Sequence, residues 1–132
     1  MSPHLEAAIQ AARAAGEVIL PYFRDTALPV ETKADQSPVT AADRAAEQVI
    51  IATLRARFPD YGFCGEEFGT QEGRVATRWI IDPIDGTANF IRGIPFFGTL
   101  IALEQDGEIT AGVVYAPAQG DMLYAARGEG AY

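Results

Sequence analysis

A near-continuous apolar run that ends in two acids constrains this chain more than any other feature. Residues 79–87 read W-I-I-D-P-I-D-G-T. Such a run predicts a buried strand over Arg78–Ile81. Pro83 lacks a backbone donor and restricts φ, so we expect a turn in which Asp82 stands just past the strand and Asp85 follows. A plain structural turn is the alternative, but it explains less well why an apolar strand ends in two carboxylates.

Composition narrows the class of protein. The chain has 132 residues, of which 48% are hydrophobic, enough for one globular domain with a core. Its net charge of -8 argues against nucleic acid or an anionic membrane as partner. Its single cysteine, Cys64, excludes an internal disulfide and suits a reducing compartment. No apolar run reaches membrane-spanning length, and the N-terminus lacks signal-peptide order. We therefore predict a cytoplasmic protein.

Two helices are predicted in the first part of the chain. Apolar residues repeat at helical spacing after Ser2-Pro3, and Pro21 should end or kink that helix. His4, at its start, is predicted to lie at the surface. A second helix begins at Thr40, where Asp43 completes a capping box, and Pro59 stops it.

The remainder is predicted to be mostly strands. Asp106-Gly107 is a strong hairpin signal between two apolar runs. Two N-terminal helices packed on a largely antiparallel sheet, an α+β fold, follow from this order. The predicted strands are Val30–Lys33, Tyr61–Cys64, Arg78–Ile81, Phe97–Leu103, Ile109–Tyr115 and Met122–Ala125.

The acids are candidate metal ligands. Glu66-Glu67 follow a predicted strand, and two adjacent acids on a loop are by themselves compatible with a solvated turn. Clustered carboxylates repel one another unless a cation lies between them, and Mg²⁺ prefers oxygen ligands. Glu66, Asp82 and the Ile84 carbonyl could form one site, and Asp82 could bridge to a second ion with Asp85.

The residues after Asp85 are candidates for phosphate binding. Gly86 permits close backbone approach, and the N–H groups of a short helix beginning at Thr87 would attract phosphate. Lys33 would add positive charge, and Asp43 could hydrogen-bond Thr87, whose hydroxyl could orient a water molecule. An ordinary helix start and an ordinary cap are the plain alternatives for these residues.

Taken together, the motifs resemble the inositol monophosphatase family of Mg²⁺-dependent, lithium-sensitive phosphatases. The matching segments are K-A-D-Q-S-P-V-T-A-A-D, G-E-E, W-I-I-D-P-I-D-G-T-A-N-F, G-V-V-Y-A-P and R-G-E-G-A-Y, which span Lys33 to Tyr132 in the family's order. The resemblance implies the N-terminal part of a layered α/β/α/β/α fold. It also implies hydrolysis of a small phosphate monoester by metal-activated water, without a covalent intermediate.

The resemblance also assigns roles to residues. It implies that Glu66, Asp82 and the Ile84 carbonyl bind the first Mg²⁺, and that Asp82 and Asp85 bind the second. Glu66 thereby takes part in catalysis.

For the phosphate and the water, the resemblance implies that Gly86 and Thr87 bind phosphate through backbone N–H groups. Asp43 and Thr87 would help to activate the water. Two charged residues support the site from nearby: Lys33 and Glu67.

One departure concerns completeness. The family has a W-D-x-x-x-G motif whose Asp completes the second metal site, but the single tryptophan here, Trp79, precedes Asp82. We therefore expect residues 1–132 to be the N-terminal domain of a longer enzyme, a homodimer when full-length, with the C-terminal half absent. Inositol monophosphate is the first substrate candidate and histidinol phosphate the alternative. Sugar bisphosphates and nucleotide 3′-phosphates are also open, as is a non-catalytic truncated domain that binds Mg²⁺ or phosphate weakly.

Overall fold

Helices packed on a mixed sheet confirm the predicted α+β class. The computed structural model describes residues 1–23, 25, 30–32 and 38–132. Within these residues no helix is both long and apolar enough to cross a bilayer. The helical elements are α1 (Pro3–Ile19), a 3₁₀ turn (Leu20–Tyr22), α2 (Ala41–Arg57) and a short α3 (Thr87–Ile91).

The described strands form two sheets. A small antiparallel pair joins β1 (Val30–Thr32) to β2 (Pro38–Thr40). The larger sheet has seven strands in the order β4-β3-β5-β6-β7-β8-β9, with β3 and β5 parallel and the other described neighbours antiparallel. Its strands are β3 (Gly62–Gly65), β4 (Gly69–Gln71), β5 (Thr77–Asp85), β6 (Gly98–Gln105), β7 (Glu108–Ala116), β8 (Asp121–Ala126) and β9 (Gly130–Ala131).

Local sequence signals explain where the two long helices begin. The Ser2 side chain accepts a hydrogen bond from Leu5 N–H, and Pro3 occupies the first turn of α1, where its missing donor is harmless. Thr40 and Asp43 form the reciprocal capping box of α2, as predicted. The helix then ends at Arg57, before Pro59.

The core lies between the helices and one face of the sheet. Alternate strand residues point to that face, because side chains in a strand alternate between its two sides. Buried members of the core are Ile19, Ile50, Leu54, Phe63, Trp79, Ile81, Ile101, Leu103 and Val113. The opposite face carries a cross-strand row of directly paired residues: Asp82, Leu100, Val114 and Leu123. Val114 is 41% and Leu123 58% exposed, so this face is open.

The structure corrects the prediction that Asp82 follows the end of a strand. β5 continues through Pro83 to Asp85. The register against β6 shifts between Asp82 and Asp85, so a bulge accommodates the residue without an N–H. The strands β2, β4 and β9 were not predicted.

His4 is also placed differently from the prediction. Its ring centroid lies 4.8 Å from that of Phe58, and Nε2 lies 2.8 Å from the Tyr61 hydroxyl. His4 is half-buried, so the first turn of α1 packs one side of its histidine on an aromatic cluster.

Candidate metal and phosphate site

A buried carboxylate joins α2 to the segment that follows β5. Asp43 is 1% exposed, and its Oδ2 accepts hydrogen bonds of 2.8 Å from both the backbone N–H and the hydroxyl of Thr40. Its Oδ1 lies 3.3 Å from the Thr87 hydroxyl, which is also 3.0 Å from the Ile84 carbonyl. Asp43 thus serves as the cap partner and also contacts Thr87, so the two interpretations of this residue are compatible.

Gly86 turns the chain from β5 into α3. Its φ of 88° lies in the left-handed region, which favours glycine. A Cβ there would lie 3.0 Å from the Phe96 carbonyl oxygen, so the position has little room for a side chain. The predicted short helix at Thr87 is confirmed, and its first N–H groups follow directly on the two acids of β5.

The bulge of β5 is held by a buried hydroxyl. Thr99 on β6 is 0% exposed, and its Oγ1 donates a 2.9 Å hydrogen bond to the Pro83 carbonyl. Asp82, before the bulge, is half-buried on the open face, whereas Asp85, after it, is exposed. The two acids on either side of the bulge therefore differ in their exposure to water.

The turn between β3 and β4 carries Glu66 and Glu67. Glu66 is exposed and Glu67 half-buried. The turn is tied to α2 by Glu47, whose carboxylate accepts hydrogen bonds from the N–H groups of Glu67 at 3.1 Å and Phe68 at 2.7 Å. Burial raises the pKa of Glu47 above its ordinary value, and these backbone hydrogen bonds offset part of that effect.

Glu66 and Asp82 meet at one cavity. It has a volume of about 370 Å³, lies on the open face of the sheet, and is otherwise lined largely by apolar residues of β5, β6 and β7. Asp85 does not line it. In the described part of the chain, no three Asp, Glu, His or Cys side chains are grouped so that they could hold a metal ion. The structure thus brings together two of the three predicted carboxylate ligands.

The available donors nevertheless suit Mg²⁺. Glu66, Asp82 and Asp85 offer carboxylate oxygens, and the Ile84 carbonyl keeps a second lone pair besides the one that accepts from Thr87. Mg²⁺ prefers such oxygen ligands and keeps several waters, so it does not need a complete protein cage. Lys33, predicted to support the site, lies outside the described residues.

A larger depression than the one beside Glu66 and Asp82 lies elsewhere on the described surface. It has a volume of about 520 Å³ and lies between α1 and β8. None of the predicted site residues lines it. The volume of a cavity therefore does not by itself identify the candidate site. The site is identified by the acidic residues and by the contact between Asp43 and Thr87.

Comparison with known proteins decides the family. The sequence model of the inositol monophosphatase family matches residues 1–132, the whole chain. The chain belongs to the inositol monophosphatase family. A histidinol-phosphatase from Chlorobaculum parvum is 47% identical over 132 residues, which are 100% of this chain and 51% of that protein. An inositol-1-monophosphatase from Mesorhizobium japonicum is 45% identical over 130 residues, 97% of this chain and 49% of that protein.

A solved structure supports the same fold. The extragenic suppressor protein SuhB from Bartonella henselae superimposes with a TM-score of 0.95 at 40% identity, covering 99% of this chain and 52% of that one. The chain therefore spans about half the length of the family members it matches.

Sequence reasoning missed two buried polar residues that contact the segments of the candidate site. Glu47 had a detectable signal, because it follows Asp43 by one helical turn on a stripe that is otherwise apolar. A charged residue on such a stripe needs a partner. Thr99 carried no comparable signal, because a threonine is ordinary in a strand and its partner depends on the bulge.

Proposed function

We propose that residues 1–132 form the N-terminal half of a cytoplasmic, homodimeric, Mg²⁺-dependent phosphatase that hydrolyses the phosphate monoester of a small alcohol. Family membership supports the reaction class. The oxygen donors at and beside one cavity support the metal. The intact protein would comprise this chain together with the proposed C-terminal half.

In this proposal the acids hold the metal. Glu66, Asp82 and the Ile84 carbonyl would bind one Mg²⁺, and Asp82 and Asp85 would bind a second. When bound, Mg²⁺ supplies Lewis-acid activation of water and neutralises charge on the phosphate. Lys33 and Glu67 would support the site from nearby. The half-buried position of Asp82 beside the cavity suits a ligand shared by two ions.

The observation that carries the proposal is the contact between Thr87 and buried Asp43. Because the Thr87 hydroxyl proton is directed at two protein acceptors, the Asp43 carboxylate at 3.3 Å and the Ile84 carbonyl at 3.0 Å, a lone pair on Thr87 Oγ1 is available to accept a hydrogen bond from the attacking water. The N–H groups of Gly86 and Thr87, at the start of α3, would bind phosphate oxygens beside it. The same short segment would thus position both reactants.

The test is a pair of substitutions at Thr87 in the intact protein. Thr87→Val removes the hydroxyl at nearly constant volume, and we expect turnover at saturating Mg²⁺ to fall by roughly a hundredfold or more. Thr87→Ser keeps the hydroxyl and should retain most activity. Equal turnover by the Val and Ser variants would reject a role for this hydroxyl.

The substrate requires a direct comparison. A histidinol-phosphatase and an inositol-1-monophosphatase are nearly equally similar to the chain, at 47% and 45% identity. We propose inositol monophosphate as the substrate, with histidinol phosphate as the alternative. The ratio of kcat/KM for the two esters, measured on one preparation, discriminates between them. A larger value for histidinol phosphate would select the alternative.

A second candidate follows from the half-length match. By itself, the 132-residue chain would be a non-catalytic folding unit that binds Mg²⁺ or phosphate weakly, because part of the second metal's ligand set is expected in the C-terminal half. A phosphatase assay on this chain beside the intact protein tests this. Robust Mg²⁺-dependent turnover by the chain alone would contradict it.

A further inference from the structure

Glu47 is a buried acid that takes no part in the proposed binding of metal, phosphate or water. It lies on α2 one turn after Asp43, and its side chain is 0% exposed. A carboxylate removed from water is strongly unfavourable unless hydrogen bonds satisfy its oxygens. Its hydrogen-bond partners therefore indicate what the residue does.

Both partners belong to the turn that carries Glu66. Glu47 Oε1 accepts from the Glu67 N–H at 3.1 Å, and Oε2 accepts from the Phe68 N–H at 2.7 Å. Hydrogen bonds to an ionised acceptor are stronger than neutral ones. One bond on each oxygen holds the turn to α2 at two points, so it restrains the orientation of the turn as well as its distance from the helix.

Gly65 is shaped to receive this carboxylate. A Cβ added at Gly65 would overlap the carboxylate atoms of Glu47. The last residue of β3 must therefore lack a side chain for Glu47 to lie against the backbone. The acid at position 47 and the glycine at position 65 are thus complementary in shape, although they lie far apart in sequence.

Helix α2 consequently contacts both segments that supply metal ligands. Asp43 contacts Thr87 after β5, and Glu47 holds the turn after β3. We propose that Glu47 is a positioning residue, which sets the place of Glu66 relative to Asp82 and thereby the affinity of the site for Mg²⁺. This inference rests on the metal assignment in the proposed function.

Glu47→Gln in the intact protein tests the inference. The substitution replaces one carboxylate oxygen by an NH₂ group, which cannot accept from the N–H that faces it, so the turn should loosen. We expect faster amide hydrogen exchange at Glu67 and Phe68. Mg²⁺ binding, measured by calorimetry without substrate, should weaken by about tenfold, as for other residues that orient metal ligands. Turnover at saturating Mg²⁺ should change much less than the Mg²⁺ concentration required for half-maximal rate.

Two controls separate positioning from charge and from stability. Glu17→Gln makes the same charge change at an exposed position of α1 and should leave Mg²⁺ affinity unchanged. Leu54→Ala removes buried packing of α2 two helical turns after Glu47, and should lower the melting temperature with little change in Mg²⁺ affinity.

Gly65→Ala is the second variant, used also if Glu47→Gln does not fold. Its Cβ displaces the Glu47 carboxylate, so it should weaken Mg²⁺ binding. The loss of Mg²⁺ affinity in the double variant, Glu47→Gln with Gly65→Ala, should be far smaller than the sum of the losses in the single variants. Unchanged Mg²⁺ affinity despite faster exchange at both amides would overturn the inference. An equal loss in Leu54→Ala would overturn it as well. An unsubstituted protein that binds no Mg²⁺ would reject the proposed function itself, and the role of Glu47 with it.

Discussion

At the scale of single residues, the site region is organised by buried polar side chains that bind backbone groups. Asp43 accepts a hydrogen bond from the Thr40 N–H, and Glu47 accepts hydrogen bonds from backbone N–H groups of the turn after β3. Thr99 donates a hydrogen bond to the Pro83 carbonyl. The role of Asp43 as a cap was predictable, because its partner is three residues away. The partners of Glu47 lie 20 and 21 residues away and the partner of Thr99 lies 16 residues away, so no local pattern identifies them.

The Thr99 hydrogen bond gives a prediction about stability. Thr99→Val removes the donor at nearly constant volume and leaves the buried Pro83 carbonyl without it. We expect the free energy of unfolding to fall by about 1–3 kcal/mol, measured by urea denaturation. Thr99→Ser keeps the donor and serves as the control. A Val variant at least as stable as the Ser variant would contradict this account of the bulge.

At the scale of elements, helix α2 contacts both segments of the candidate site, and its position was predictable from local sequence signals. Its capping box and its stop at Pro59 are local signals. Strands were predicted less completely, because their pairing partners are distant. Pro83 indicated a turn, yet the bulge against β6 lets the strand continue. β9 has only two residues and forms by pairing with β8, which no periodicity reveals.

The docking of α1 has a predictable dependence on pH. Burial lowers the pKa of His4 in the folded protein below its unfolded value near 6.5. The unfolded state therefore binds the proton more readily, and stability present above pH 6.5 is lost as the pH falls through the lower, folded pKa. We expect the melting temperature of the wild type to fall more between pH 7.5 and 5.5 than that of His4→Gln.

That comparison isolates His4 because it is the single histidine of the chain. Glu47, whose raised pKa acts in the opposite direction, titrates in both proteins, so its contribution cancels in the difference. Parallel pH profiles for the two proteins would contradict the assignment.

At the scale of the whole molecule, the chain presents one covered and one open face of its sheet. The open face carries Asp82 together with Leu100, Val114 and Leu123 in one cross-strand row. The family resemblance predicted further layers of helices and strands beyond residues 1–132. The relatives are about twice as long as the part that this chain matches. We therefore expect the C-terminal half of the intact protein to cover this face.

The open face also predicts how the 132-residue chain behaves alone. Exposed apolar patches promote association, so sedimentation should show concentration-dependent self-association. Leu123→Lys should reduce it, because it places a charge at a position that is 58% exposed on this face. Val75→Lys, at an exposed position on the bend before β5, is the control and should leave self-association unchanged. A stable monomer at all concentrations would contradict the prediction.

We propose Asp82 as a metal ligand of a phosphatase, and one substitution in the intact protein tests that role most directly. Asp82→Asn is compared at saturating Mg²⁺ with Asp106→Asn, the same change in a hairpin turn whose left-handed backbone suits Asn equally well. Asp82→Asn should lose turnover by roughly a thousandfold or more, because a ligand shared by two ions is weakened, whereas Asp106→Asn should remain near wild type. Wild-type turnover by Asp82→Asn would contradict a role for Asp82 as a metal ligand.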